Sequence, residues 1–135
     1  VFRSLPEVKP LILGVRWPRA ELRERIAVRL RERLDAGMVA EVEALRAQGV
    51  PWEKLDWLWL EYRFIGRYLQ GRFTTEETMF DALHTAICQF AKRQETWFRR
   101  MERRGTAIHW VKRGSLPDAV RIAGPYIAEA FGSML

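Results

Sequence analysis

Between Gln89 and Arg104 the chain gathers six cations, Lys92, Arg93, Arg99, Arg100, Arg103 and Arg104, against two carboxylates, Glu95 and Glu102. Guanidinium groups are planar donors that stay charged at any physiological pH and pair two-pronged with phosphate. The chemistry open to such a row is therefore the holding of a polyanion. At about 100° per residue on a helix, Lys92, Arg93, Thr96, Arg99, Arg100 and Arg103 fall within an arc of about 120°. Phe90, Phe98 and Met101, with Leu83 and Ile87 upstream, fall on the opposite side. Trp97 lies at the boundary and reads either as core or as a platform on which an unpaired base stacks. Gln94 lies in the apolar arc. A buried amide without a partner costs about 1–3 kcal/mol, so Gln94 is expected to have a specific one, a backbone group or a substrate base.

Other reactive side chains say less by themselves. Arg25 and Arg29 sit one turn apart on a helix, and Glu21 four residues before Arg25 offers a pairing worth only about 0.2–0.5 kcal/mol. Glu61-Tyr62-Arg63 reads as a packed helix start or as an RNA-facing edge. His84 and His109 have no metal-ligand or triad spacing around them, and Cys88 has no accompanying motif that would make it a nucleophile.

The net charge of +6 is not spread evenly. Residues 1–84 carry 14 basic and 13 acidic side chains, whereas residues 85–113 carry 8 and 2, so the excess belongs to the basic row. That pattern favours a patch for a polyanion over a uniformly basic surface. A single cysteine excludes an internal disulfide and a thiolate metal cluster, and points to a reducing cytoplasm. No apolar run approaches the roughly 20 residues of a membrane span, and no signal-peptide pattern opens the sequence.

The elements that must position these residues are mostly helices. Leu11-Ile12-Leu13-Gly14-Val15 predicts a buried strand, and Ala107-Ile108-His109-Trp110-Val111 a second. Leu22, Ile26, Leu30 and Leu34 recur every four residues, and the pattern resumes at Met38 after Gly37. This predicts helices over about 19–35 and 38–48, with Gly37 as bend or cap. Pro51 opens a short helix, another starts near Glu61 and ends by Gly71, and Thr74 caps a long one with Glu77 reaching back. That helix runs to about Arg104 and stops at Gly105; a last one covers about 118–131. The fold class is mainly α in a single domain, 1–135, with two short strands. A two-stranded sheet alone is marginal in water. Either the two pair with each other at one end of a helical bundle, or they belong to a larger sheet, an option that gains weight because both runs read as buried on both faces.

In this order the residues resemble the C-terminal half of tRNA dimethylallyltransferase over about residues 11–112. The resemblance rests on Leu13-Gly14-Val15, then Leu22 with Arg25-Ile26 and Arg29, and on Gly37-Met38, Glu41-Val42, Leu45 and Gly49. It continues through Leu60-Glu61-Tyr62-Arg63, Tyr68-Leu69 and Gly71. Its strongest segment is Gln89-Phe90-Ala91-Lys92-Arg93-Gln94 with Thr96-Trp97-Phe98-Arg99. The resemblance implies transfer of a dimethylallyl group from dimethylallyl diphosphate to the exocyclic amine of adenine 37, beside the anticodon. The base is turned out of its loop into a channel, as chemistry on a base requires. It further implies tRNA contacts at Glu61, Tyr62, Arg63, Lys92, Arg93, Gln94, Thr96, Trp97, Arg99 and Arg100. Arg25, and less strongly Arg29, are implied at the diphosphate. The implied partners are an anticodon stem-loop and a P-loop half bearing Mg²⁺ and an aspartate base, with neither DNA nor a membrane.

No glycine in this sequence is followed by lysine, so the phosphate-binding Gly-Lys-Ser/Thr step is not in these 135 residues. The acidic motif that would supply the base has no counterpart either. Trp59 stands where related sequences often carry glycine, which alters a close backbone approach to RNA. The expectation is a chain that holds RNA and forms channel wall, with no catalytic residue or metal ligand of its own and inactive alone. The alternatives are a non-catalytic RNA-binding module and a subunit whose strands complete a partner's sheet.

Overall fold

The structure, a computed structural model, describes residue 4 and residues 7–132. The order of elements is β1 (Ile12–Arg16), α1 (Arg19–Asp35), α2 (Met38–Ala47), α3 (Trp52–Trp57), α4 (Leu60–Leu69), α5 (Glu76–Arg103), β2 (Ile108–Lys112) and α6 (Leu116–Gly132). The chain is mainly α, as its periodicity predicts, and it divides into two compact units. Residues 19–95 form a helical unit; residues 1–18 with 96–135 form a unit around the strands.

In the helical unit the four-residue stripe of α1 buries Leu30 and Leu34. The turn into α2 needs a left-handed residue, and Gly37 supplies it with φ of 102°, a conformation costly to any residue with a Cβ. Met38 and Val42 then join Leu55 of α3, Ile65 of α4 and Met79, Phe80 and Leu83 of α5 in one core. Burying each such side chain contributes about 1.5–3 kcal/mol, so packing rather than propensity holds the helices together. The start of α5 differs from the predicted cap. Thr75, not Thr74, accepts the Thr78 backbone N–H on its Oγ1 at 3.1 Å. Glu77 does not reach back; both of its carboxylate oxygens accept from Arg31 Nη2, at 2.9 and 3.1 Å. The Arg31 guanidinium also lies 3.8 Å over the Phe80 ring, so this contact joins α1 to α5 by charge and by stacking.

In the other unit β1 and β2 pair in parallel, with Ile12 opposite Ile108 and Gly14 opposite Trp110. Trp110 organises this unit. Arg16 lies 4.0 Å over its ring, Phe98 meets it edge-on, and its indole N–H donates to Glu102 at 3.3 Å. Ile108 and Val111 are buried, but Leu13 and Val15 stay 38% and 58% exposed. The prediction that both strands are buried on both faces is therefore corrected: the Leu13–Val15 side of β1 is only partly covered, and His109 and Trp110 of β2 are half-buried. α6 begins at Leu116, two residues before its predicted start, where Ser115 Oγ accepts the Asp118 N–H. It buries no residue fully, and Leu116, Val120, Ile127 and Phe131 lie open.

Candidate nucleic-acid interface

One continuous 28-residue helix, α5, carries the basic row up to Arg103, and Arg104 follows in the turn. Lys92, Arg93 and Gln94 belong to the helical unit's share of α5, and Thr96, Trp97, Arg99 and Arg100 to the strand unit's share. All seven are exposed. Two expectations for this helix, those for Gln94 and Phe90, are corrected, and the core alternative for Trp97 is set aside. Gln94 is not buried on an apolar face, so water satisfies its amide and no special partner is required. Trp97 is not core, being 61% exposed, and Phe90, assigned to the packed side, is 46% exposed. No residue of α5 beyond Cys88 is fully buried.

Arg31, Arg33 and Arg67 each face a carboxylate, and Arg46 and Arg63 each donate to a backbone carbonyl. The side chains of Arg93, Arg100, Arg103 and Arg104 make no hydrogen bond or ion pair with another described residue. In the strand unit Thr96, Arg99, Glu102 and Arg103 line an open cleft of about 590 Å³. Its one carboxylate, Glu102, accepts from the Trp110 indole, and the rest of the lining is two guanidinium groups and a hydroxyl. The arrangement can hold an anion by charge-assisted hydrogen bonds.

The Glu61-Tyr62-Arg63 segment opens α4, and each of its side chains has a partner within the helical unit. Arg33 donates to Glu61 at 3.0 Å, Tyr62 donates its hydroxyl to Glu41 at 2.6 Å, and Arg63 Nε donates to the Asp56 carbonyl at 2.9 Å. Accepting this bond, the Glu41 carboxylate holds the Tyr62 hydroxyl above the usual phenol range; partial burial adds to the effect. Glu61 and Tyr62 line a smaller cleft, about 200 Å³, together with Arg33 and Trp59. Sequence reasoning missed Arg33 and Glu41, because they lie 28 and 21 residues from their partners and nothing local marks them. Arg25 and Arg29 are exposed on α1 and line neither cleft.

The histidines serve structure. His84 Nε2 meets the Arg23 carbonyl at 2.8 Å and its ring stacks on Phe80. His109 lies against Tyr126. Among the described residues no three His, Cys, Asp or Glu side chains are grouped to hold a metal ion, and no helix is long and apolar enough to cross a membrane.

Fold and charge thus define a class: a mainly α chain whose parallel strand pair is separated in sequence by a helical unit, with its positive excess between residues 85 and 113. The family profile described as IPP transferase matches residues 3–101. The chain is 56% identical over 112 residues to tRNA dimethylallyltransferase 2 of Pelobacter propionicus, covering 83% of this chain and 36% of that protein. Against tRNA dimethylallyltransferase 2 of Treponema denticola it is 55% identical, with 78% and 36% covered. A solved tRNA delta(2)-isopentenylpyrophosphate transferase of Staphylococcus epidermidis superposes with a TM-score of 0.73 at 26% identity, covering 89% of this chain and 38% of that one. The chain belongs to the IPP transferase family, and it spans a little over a third of the length of the relatives it matches.

Proposed function

We propose that this chain is the tRNA-facing portion of a tRNA prenyltransferase. In that reading a dimethylallyl group passes from dimethylallyl diphosphate to the exocyclic amine of adenine 37, and these residues supply RNA contacts and channel wall. The supporting observation is the set of exposed cations, Arg93, Arg100 and Arg103 on α5 and Arg104 just after it, that no described carboxylate answers. Lys92, Gln94, Thr96, Trp97 and Arg99 lie on the same helix, and Glu61, Tyr62 and Arg63 open α4. Arg25 and Arg29, one turn apart and exposed on α1, are assigned to the diphosphate, whose charge suits two guanidinium groups.

The chemistry itself needs groups that these residues do not offer. Mg²⁺ would steady the diphosphate leaving group, but no described acidic cluster fits a metal ion and no glycine precedes a lysine. We therefore assign the phosphate loop, the metal ligands and the base to a P-loop portion that works with this one. The exposed Leu13 and Val15 support such a partner, because parallel strands are normally covered on both faces.

The test mixes the chain with dimethylallyl diphosphate, Mg²⁺ and an anticodon stem-loop. The chain alone binds the RNA without turnover, and adding the separately produced P-loop portion of the Pelobacter propionicus relative restores transfer. Turnover by the chain alone contradicts the division of labour. RNA binding with no restoration selects the second reading, a non-catalytic RNA-binding module, which the missing Gly-Lys step favours.

A further inference from the structure

Trp59 is the N-cap residue of α4, yet its side chain makes no capping hydrogen bond and is left 70% exposed. It forms one wall of the cleft shared with Arg33, Glu61 and Tyr62. The other walls are fixed. Arg33 Nη1 holds Glu61 Oε1 at 3.0 Å, and the Tyr62 hydroxyl is tied to Glu41 at 2.6 Å. Only one Glu61 oxygen is engaged, so the second remains an acceptor at the cleft's edge. Arg33 keeps further N–H donors beyond the one it uses.

Size and charge narrow what this cleft takes. At about 200 Å³ it falls below the ~300 Å³ where sites for drug-sized ligands begin, so it suits one flat group. Arg33 and Glu61 neutralise one another, so the cleft offers a phosphate no net attraction, unlike the cleft beside Arg99 and Arg103. A neutral ring that stacks on indole and presents an amine at its rim suits Trp59 and Glu61. Unpaired RNA bases are read in this way, by stacking on aromatic faces and hydrogen bonding at their edges.

We infer that Trp59 stacks on one unpaired base of the bound RNA, with the free Glu61 oxygen accepting from that base's exocyclic amine. This rests on the RNA-binding reading above and adds to it a base-stacking residue that no local motif announces. Trp57 is a built-in control: it is 87% exposed two residues away but is not a wall of the cleft.

The experiment titrates the 135-residue chain into anticodon stem-loops that carry 2-aminopurine at one loop position at a time. The wild-type protein quenches one position, and Trp59→Phe and Trp57→Ala keep the quench. Trp59→Ala loses it and weakens binding roughly 5- to 100-fold, with the salt dependence unchanged. Retention of quench and affinity by Trp59→Ala overturns the inference, as does an equal loss in Trp57→Ala. If the wild-type chain binds with strong salt dependence but quenches no position, the inference alone fails. If it binds no stem-loop at all, the RNA-binding reading fails with it.

Discussion

Gly14 and Trp110 face each other across the parallel strand pair, and the indole fills the space where a side chain at 14 would begin. A Cβ placed on Gly14 would lie 2.7 Å from Trp110 Cε3 and 2.9 Å from Ile108 Cγ2. Trp110 cannot move aside cheaply, since Arg16 and Phe98 hold its ring and Glu102 holds its N–H. Gly14→Ala is expected to destabilise the chain by about 1–3 kcal/mol, the usual cost of overpacking. Urea unfolding followed by near-ultraviolet circular dichroism checks this; a midpoint within error of wild type contradicts it.

The Tyr62–Glu41 contact gives a pH-dependent signature. The Tyr62 pKa is raised in the folded state, so its contribution is fully present below about 10 and is lost as pH rises through the folded value. Tyr62→Phe is expected to cost about 1 kcal/mol at neutral pH, at the low end because the pair is solvent-accessible. In thermal unfolding that is a fall of roughly 3–5 °C. The gap between mutant and wild type should narrow above pH 10. A gap that stays constant with pH would show that the carboxylate is not the cause.

Leu13 and Val15 separate folding from partnership. Both are exposed, so replacing both with threonine, which keeps strand propensity, should change this chain's stability by no more than about 0.5 kcal/mol. The same change should weaken association with a P-loop portion, measured by titration calorimetry. Unaltered association would place the partner's surface elsewhere.

How far the sequence could be read depended on whether the deciding contact was local. The four-residue stripe of α1, the left-handed Gly37 and the long amphipathic run of α5 are local signals, and the structure has those elements within a residue or two of their predicted limits. The cap of α5 moved by one residue because Thr74 and Thr75 are chemically alike, and Arg31, distant in sequence, captures Glu77. Phe90 and Gln94 were misjudged, and Trp97 was left undecided, for a related reason. A helical wheel shows which residues share a face, but not how closely other elements cover each stretch of it, and here no residue of α5 beyond Cys88 is fully buried. The charge row of the candidate site was legible, since charge density is written in the sequence. The Arg33–Glu61 and Tyr62–Glu41 ties that shape the smaller cleft were not, because tertiary packing alone brings those residues together.

The central claim is that the α5 cations hold tRNA phosphates, and salt dependence tests it most directly. Binding of an anticodon stem-loop is measured by fluorescence anisotropy across a range of salt concentrations. Each neutralised phosphate contributes about 0.7–0.9 to the slope of log affinity against log salt, so four or more contacts give a slope steeper than about −3. Combining Arg93→Ala, Arg100→Ala and Arg103→Ala should flatten it by about 2. A slope near zero, or a triple variant that binds with the wild-type slope, would contradict the account.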